Sequence, residues 1–554
     1  MTKNIFDNTP WWKSAVIYQI YPRSFFDADN NGIGDLKGII EKLDYLNDGN
    51  GGGLGIDGIW ISPFFKSPMA DFGYDVSDYC DVDPIFGTLD DYDILVQEAH
   101  KRGVKILIDL VLNHTSDQHP WFKESKKSKK SDKSDWYVWA DPKENGNPPN
   151  NWLSIFGGPA WTYVPNRKQY YFHNFIKEQP DLNWYHPEVR EVIAGIVQFW
   201  LDRGTDGFRL DAVNFYAYDQ KLRDNPLVPE GYTHLEDTDF NPYYKYDTIY
   251  SKDRPENMEF VKFLRSLFDK GKDITSIGEV GSVSDLEKVI QVAADHTKGN
   301  SRLHMAYTFS MLNDKADFSH ISNVLSMTES KMMGGWPCWS LGNHDTKRVK
   351  TRYGCIDKKD GLEQSFLLFL LSLRGTPVLY YGDEISMEDV DIKKEELQDP
   401  YGIQFWPDFK GRDGCRTPFS WDKSLQNSGF NEGTSPWLPT RSNTDLKTCL
   451  NNASSTFHVV KEMIRIRKQY PALSCGDYQE IISDPDYFVF KRLYKDQTIL
   501  AGMNISEEPQ QINLPEQNQN FEDIRIKAFD RNGEVRKGTL MLPSLGFYLG
   551  IKTE

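Results

Sequence analysis

The stretch TDGFRLDAV, residues 205–213, puts Arg209 and Asp211 two positions apart in an apolar run too short for a helix. Period-two alternation sends both charged side chains one way, and Phe208 and Leu210 the other. Such a segment reads as a buried strand with a polar tip. Seven others share its character: AVIYQIYP (15–22), GIDGIWISP (55–63), VKILIDLVLNH (104–114), ITSIGEV (274–280), HMAYTF (304–309), CWSLGNHD (338–345) and TPVLYYGDEI (376–385). Amphipathic stretches such as LDDYDILVQEAHKRG and PEVREVIAGIVQFWLDRG lie between most of them. Apolar strands alternating with helices indicate a parallel sheet covered on both faces. Eight such units predict an α/β chain folded as a (β/α)8 barrel. Asp109, Asn113, His114, Arg209, Asp211, Glu279, His344 and Asp345 stand at the C-terminal ends of the strands, the catalytic face of such a barrel.

Two interruptions and a tail divide the chain further. Residues 115–182, rich in Trp, Pro, Gly, Asn and Lys, are too many for a loop and read as an inserted domain B. Residues 217–257 lack helical periodicity and read as a lid over the active face, with a disordered insertion as the alternative. Beyond FHVVKEMIRIRKQY, alternating segments such as QEIISDPDYFVFKRLY and QTILAGMNI are separated by turn signals. The expected division is a barrel over 1–114 and 183–474, domain B over 115–182, and a C-terminal antiparallel β-sandwich over 475–554.

Composition narrows the function. The 554 residues carry a net charge of −17, which argues against nucleic acid and anionic membranes as partners. The one basic run, KESKKSKKSDKSDW from Lys123 to Trp136, contains acids and reads as solvated surface. The six cysteines are dispersed without zinc spacing and read as free thiols of a reducing compartment. With no leader pattern and no run of 18 apolar residues, the expectation is a cytoplasmic monomer or homodimer.

Three carboxylates, Asp211, Glu279 and Asp345, end three different strands. Glycoside hydrolysis needs two carboxyls across a cleft, one to attack and one to donate a proton. Arg209 beside Asp211 is expected to keep it ionised, which suits a nucleophile. Glu279, in the nearly apolar SIGEVG, is expected to be raised by desolvation, which suits an acid and base. Strand-end acids can also be purely structural. In DADNNGIGD (27–35), Asp27, Asp29, Asn31 and Asp35 alternate with small residues, and the Ile33 carbonyl is a further oxygen. This resembles the start of an EF-hand loop and reads as a structural Ca2+ or Mg2+ site. A metal-free Asx turn is the alternative. No organic cofactor is expected.

The motifs DLVLNHTS, GFRLDAV, GEV and LGNHD, in this order, resemble the four signature regions of glycoside hydrolase family 13, the α-amylase family. QPDLNW (179–184), GYDVSDY (73–79) and GRDGCRTPFSW (411–421) are similar to its α-glucosidase and oligo-1,6-glucosidase branch, and the resemblance spans essentially the whole chain. It implies Asp211 as nucleophile, Glu279 as acid/base and Asp345 as the third carboxylate. It further implies that His114, Arg209 and His344 hold the sugar ring, with Tyr74 as its platform and Phe156 and Phe175 as aromatic walls. Asp71 and Arg416 would grip the non-reducing end, and DADNNGIGD matches the family's first-loop metal site. The implied activity is that of a retaining, exo-acting α-glucosidase on short maltose-type sugars, with transglucosylation when a sugar replaces water. Ala212 leaves room where a bulky Val accompanies α-1,6 specificity in the family, so α-1,4 bonds are expected. An oligo-1,6-glucosidase and a sucrose-acting isomerase or transglucosylase are the nearer alternatives. A non-catalytic transporter heavy chain is remote, since such chains lose the carboxylates that this one keeps.

Overall fold

The computed structural model describes residues 9–553 apart from 233, 235–238, 282–284, 314–316 and 355–359. Cys355 and part of the 217–257 segment lie outside the described residues; Cys80, Cys338, Cys415, Cys449 and Cys475 are free thiols.

All eight expected strands form. They are β1 (Ile17–Ile20), β2 (Gly58–Ile61), β3 (Lys105–Leu110), β4 (Gly207–Leu210), β5 (Thr275–Val280), β6 (Met305–Thr308), β7 (Cys338–Ser340) and β8 (Thr376–Tyr380). Every neighbouring pair is parallel, running in sequence from β1 to β6 with β8 and β7 on the other side of β1. A parallel bridge from Ala306 to Pro337 joins β6 to β7 and closes the ring. The strands are short and buried on both faces because their residues alternate between two apolar environments. Ile17, Trp60, Leu107, Ile277, Met305 and Val378 fill the barrel. Phe208 points outward and stacks on Phe268 of the helix Asn257–Phe268. Helix Pro187–Asp202 turns Val189, Ile193, Ile196, Val197 and Trp200 inward, the three- and four-residue spacing of an amphipathic face.

The strand register places the polar tips. Asp109 of β3 lies beside Arg209 of β4, and Glu279 of β5 beside Tyr307 of β6. Between β3 and helix Pro187–Asp202, the strands Trp139–Ala140, Trp161–Val164 and Gln169–Phe172 form a small sheet over Trp152, Trp161 and Phe172. The described part of 217–257 is folded against it, so it is not a disordered insertion. Trp152 Nε1 donates to the Arg223 carbonyl at 2.9 Å, and Asn241 Nδ2 to the Ile155 carbonyl at 2.8 Å. Phe240 adds ring contacts to Tyr401, Phe405 and Phe409, so three excursions meet above the mouth. From Asp477 onward, a five-stranded and a three-stranded antiparallel sheet enclose Val489, Leu500, Ile512, Leu540, Leu542 and Tyr548. No described helix is long and apolar enough to cross a membrane.

Candidate active site

Arg209 is the hub of the barrel mouth. It is fully buried, and its Nη1 lies 2.8 Å from Asp109 Oδ1 and 2.7 Å from Asp211 Oδ1. Its Nη2 lies 2.6 Å from Glu279 Oε1 and accepts no share of solvent, since the Tyr307 hydroxyl fills the remaining side at 2.8 Å. One cation thus faces three carboxylates in a dry site. The expectation that Arg209 would keep Asp211 ionised is corrected here. Burial raises the Asp211 carboxyl to about 7 against the pull of Arg209, and Asp109 adds repulsion. Burial raises Glu279 to about 7 and Asp109 to about 6 in the same way. Arg209 cannot separate the two catalytic carboxyls electrostatically, because it bonds both. Near neutral pH the cluster can therefore hold one carboxyl protonated, to donate, beside one ionised, to attack.

Position distinguishes them instead. Asp211 follows the last residue of β4, and its N–H donates to the Leu110 carbonyl at 3.2 Å. The chain then turns through Ala212, whose φ of 43° and ψ of 44° lie in the left-handed region. This turn aims the Ala212 N–H at Glu279 Oε2, 2.9 Å away. Glu279 is 6 % and Asp211 7 % exposed, so both are open to the mouth only narrowly.

A second cluster borders the first. Asp345 is 3.0 Å from both Arg412 Nη1 and Arg416 Nη2. Burial opposes its charging, but the His344 ring and the two guanidiniums outweigh that and hold it far below the carboxylate range. Asp399, against Arg412 at 2.7 Å, is lowered despite its burial. Asp71 is raised by burial although it too touches Arg412. Asp71 and Arg416, the pair implied to grip the sugar end, both reach this cluster, through different partners. Asp71 Oδ1 bonds Arg412 Nη2 at 2.9 Å, whereas Arg416 turns inward to the His344 carbonyl at 2.7 Å and to Asp345. Both arginines belong to GRDGCRTPFSW, four residues apart, and the short helix Asp413–Arg416 between them points them differently.

The remaining expected residues line the same mouth. The Tyr74 hydroxyl donates to Asp109 Oδ2 at 3.1 Å, and its ring stacks on His344 at 5.2 Å. His344 Nδ1 lies 2.8 Å from Gln19 Nε2, and its Nε2 lies 2.6 Å from the Tyr74 hydroxyl and 3.2 Å from Asp345 Oδ2. Burial lowers His344 well below its usual range, against the pull of Asp345, and lowers His114 to about 3. His114 Nε2 contacts the Tyr74 carbonyl at 3.1 Å, and Phe175 packs on its ring. Phe156 packs on Tyr401 and beneath the Arg412 guanidinium. Sequence reasoning placed Asp109 at a strand tip without a role and passed over Tyr307, Asp399 and Arg412. The signal for Arg412 was present, since its motif carries two arginines.

Away from the mouth, carboxylate oxygens of Asp27, Asp29 and Asp35 lie within 4.8 Å of one another. The Asn31 and Gly32 N–H groups brace Asp27, and Asn31 Oδ1 accepts from the Ile33 N–H. Asp35 also caps the helix Leu36–Glu41 through the Gly38 N–H. This all-oxygen donor set fits a hard cation.

Comparison with known proteins agrees with this architecture. The α-amylase catalytic-domain model matches residues 19–476, and the α-amylase C-terminal-domain model matches residues 476–534. A probable α-glucosidase of Rhizobium meliloti (strain 1021) is 47% identical over 97% of this chain and 96% of its own. An oligo-1,6-glucosidase of Parageobacillus thermoglucosidasius is 37% identical over 91% of this chain and 92% of its own. The crystal structure of the α-glucosyl transfer enzyme XgtA is 44% identical, covers 98% of this chain and 100% of its own, and superposes with a TM-score of 0.93. A catalytic-domain match over most of the chain, on a closed barrel whose mouth carries these carboxylates, places this protein in the α-amylase family, glycoside hydrolase family 13, as a glycoside hydrolase of its glucosidase branch.

Proposed function

We propose that the protein is a retaining, exo-acting α-glucosidase for short maltose-type sugars, preferring α-1,4 bonds and transferring glucose when another sugar or an alcohol replaces water. The observation that carries this reading is the bridging of Asp211 and Glu279 by one guanidinium. Carboxyls that close favour the retaining separation of roughly 5–5.5 Å over the wider inverting one. Asp211 attacks the anomeric carbon while Glu279 protonates the leaving oxygen. Glu279 then deprotonates the incoming water or hydroxyl, which displaces Asp211. Asp345 and Asp71, tied together by Arg412, suit a closed pocket for the hydroxyls of a terminal glucose. The narrow exposure of the pair and the likeness to an α-glucosyl transfer enzyme support transfer beside hydrolysis.

The α-1,4 preference rests on Ala212. A β-branched side chain at its φ of 43° is strained, and added methyl groups there narrow the space beside Asp211. We also propose a structural Ca2+ or Mg2+ held by Asp27, Asp29, Asn31, Asp35 and the Ile33 carbonyl. Initial rates on maltose, isomaltose, sucrose and maltotriose test the substrate reading. Maltose should lead. Faster hydrolysis of isomaltose, or isomerisation of sucrose as the main reaction, would contradict it.

A further inference from the structure

Asn214 stands three residues beyond Asp211 and is fully buried. Its side-chain amide pairs with both backbone groups of Gly281, two residues beyond Glu279. Oδ1 accepts the Gly281 N–H at 3.2 Å and Nδ2 donates to the Gly281 carbonyl at 3.2 Å. This double bond pattern imitates a strand rung where β4 and β5 have already ended. Nδ2 also donates to Asp253 Oδ1 at 2.6 Å, while the Asp253 N–H returns to the Asn214 carbonyl at 2.9 Å. Lys252, buried beside it, adds a bond from Nζ to the same Gly281 carbonyl at 3.2 Å. The end of the 217–257 excursion is therefore stapled to the nucleophile turn and to the acid/base strand at one point.

The turn needs such a staple. Ala212 occupies a left-handed conformation that an alanine adopts only when its surroundings enforce it. Its N–H is one of the bonds that orient Glu279, so relaxation of the turn would move the acid/base and not only the turn. We infer that Asn214, assisted by Lys252, is a positioning residue that sets the placement of Glu279 relative to Asp211. This rests on Glu279 being the acid/base.

Leaving-group dependence tests it. A misplaced acid slows substrates that need protonation and spares those that do not. Asn214→Ala should cut kcat/KM on maltose by about 10–100-fold, the scale of a small misplacement of a catalytic group. On 4-nitrophenyl α-glucoside the loss should stay under about threefold in the step that forms the glucosyl-enzyme. Azide should then raise turnover and give α-glucosyl azide: its nitrogen bonds the anomeric carbon, Asp211 leaves as carboxylate, and no base is needed. Lys252→Met removes the bond to Gly281 and the charge over the Phe215 ring but keeps the Asn214 staple, should show the same selectivity more weakly, and carries the test if the first variant does not fold. Glu279→Ala is the reference. Equal losses on both substrates in Asn214→Ala and Lys252→Met, with no azide effect, would overturn the inference if the reference shows selectivity. A reference without selectivity would instead sink the acid/base reading itself.

Discussion

Arg209 and Arg412 each gather three carboxylates at the same barrel mouth, yet the two centres hold protons differently. Around Arg209, one cation serves Asp109, Asp211 and Glu279, and all three are raised. Around Arg412, a second guanidinium from Arg416 shares Asp345, and Asp345 and Asp399 are lowered. Asp399 and Asp109 are both fully buried, so between these two the charge balance decides the outcome. The first centre keeps protons that chemistry can move. The second keeps charges that can bind sugar hydroxyls and stay charged throughout. Asp71, at the edge of the second centre, is raised because burial there outweighs the pull of both Arg412 and Arg416.

Removing a reacting group should break the comparison most strongly. Asp211→Asn and Glu279→Gln should each lower kcat on maltose by at least about a thousandfold with circular dichroism unchanged; a loss below tenfold in either would withdraw its role. Arg412→Lys should come next. It leaves one bond where a fork held three carboxylates, so kcat/KM should fall by about 100-fold through KM more than kcat. A pure kcat effect would place Arg412 in the chemistry rather than in binding.

Asp109→Asn tests the charge balance itself. Asp109 and Asp211 are raised from 3.8 to about 6 and 7, and Glu279 from 4.5 to about 7. The folded protein thus binds protons that the unfolded chain has lost. Stability from these groups is complete below about pH 4 and is lost as pH rises through 6 to 7. Asp109→Asn leaves one cation for two carboxylates, so Tm should fall less between pH 5 and 8 than in the parent. The acid limb of kcat/KM should also move to lower pH. An unchanged limb would show that Asp109 does not feel the catalytic pair.

The smallest effects lie outside the two centres. Ala212→Val should lower activity on maltose and shift the isomaltose-to-maltose rate ratio upward by several-fold, within the roughly 10–200-fold span of methylene-scale discrimination. No change in the ratio would remove Ala212 from specificity. Chelation should lower Tm by a few degrees and Ca2+ should restore it, with the response absent in Asp29→Ala. Equal response in the variant would place the ion elsewhere.

The barrel was legible because its signal is local: each strand announces itself by a short apolar run and a polar tip. Asp211, Glu279 and Asp345 were legible for the same reason. The partners were not. Which of Arg412 and Arg416 meets Asp71 depends on a short helix turn between them, and which carboxylates share Arg209 depends on the register of β3 against β4. The raised Asp211 is hidden as well, because Arg209 is its sequence neighbour while the burial that raises it, and the repulsion of Asp109, come from residues distant in the chain. Long-range burial, rather than sequence neighbours, set the sign.

The retaining chemistry that both centres serve can be read from one product. Proton NMR of maltose hydrolysis in its first minutes should show α-glucose released from the non-reducing end ahead of mutarotation. β-Glucose as the first product would mean a single displacement, and would contradict the assignment of Asp211 as nucleophile.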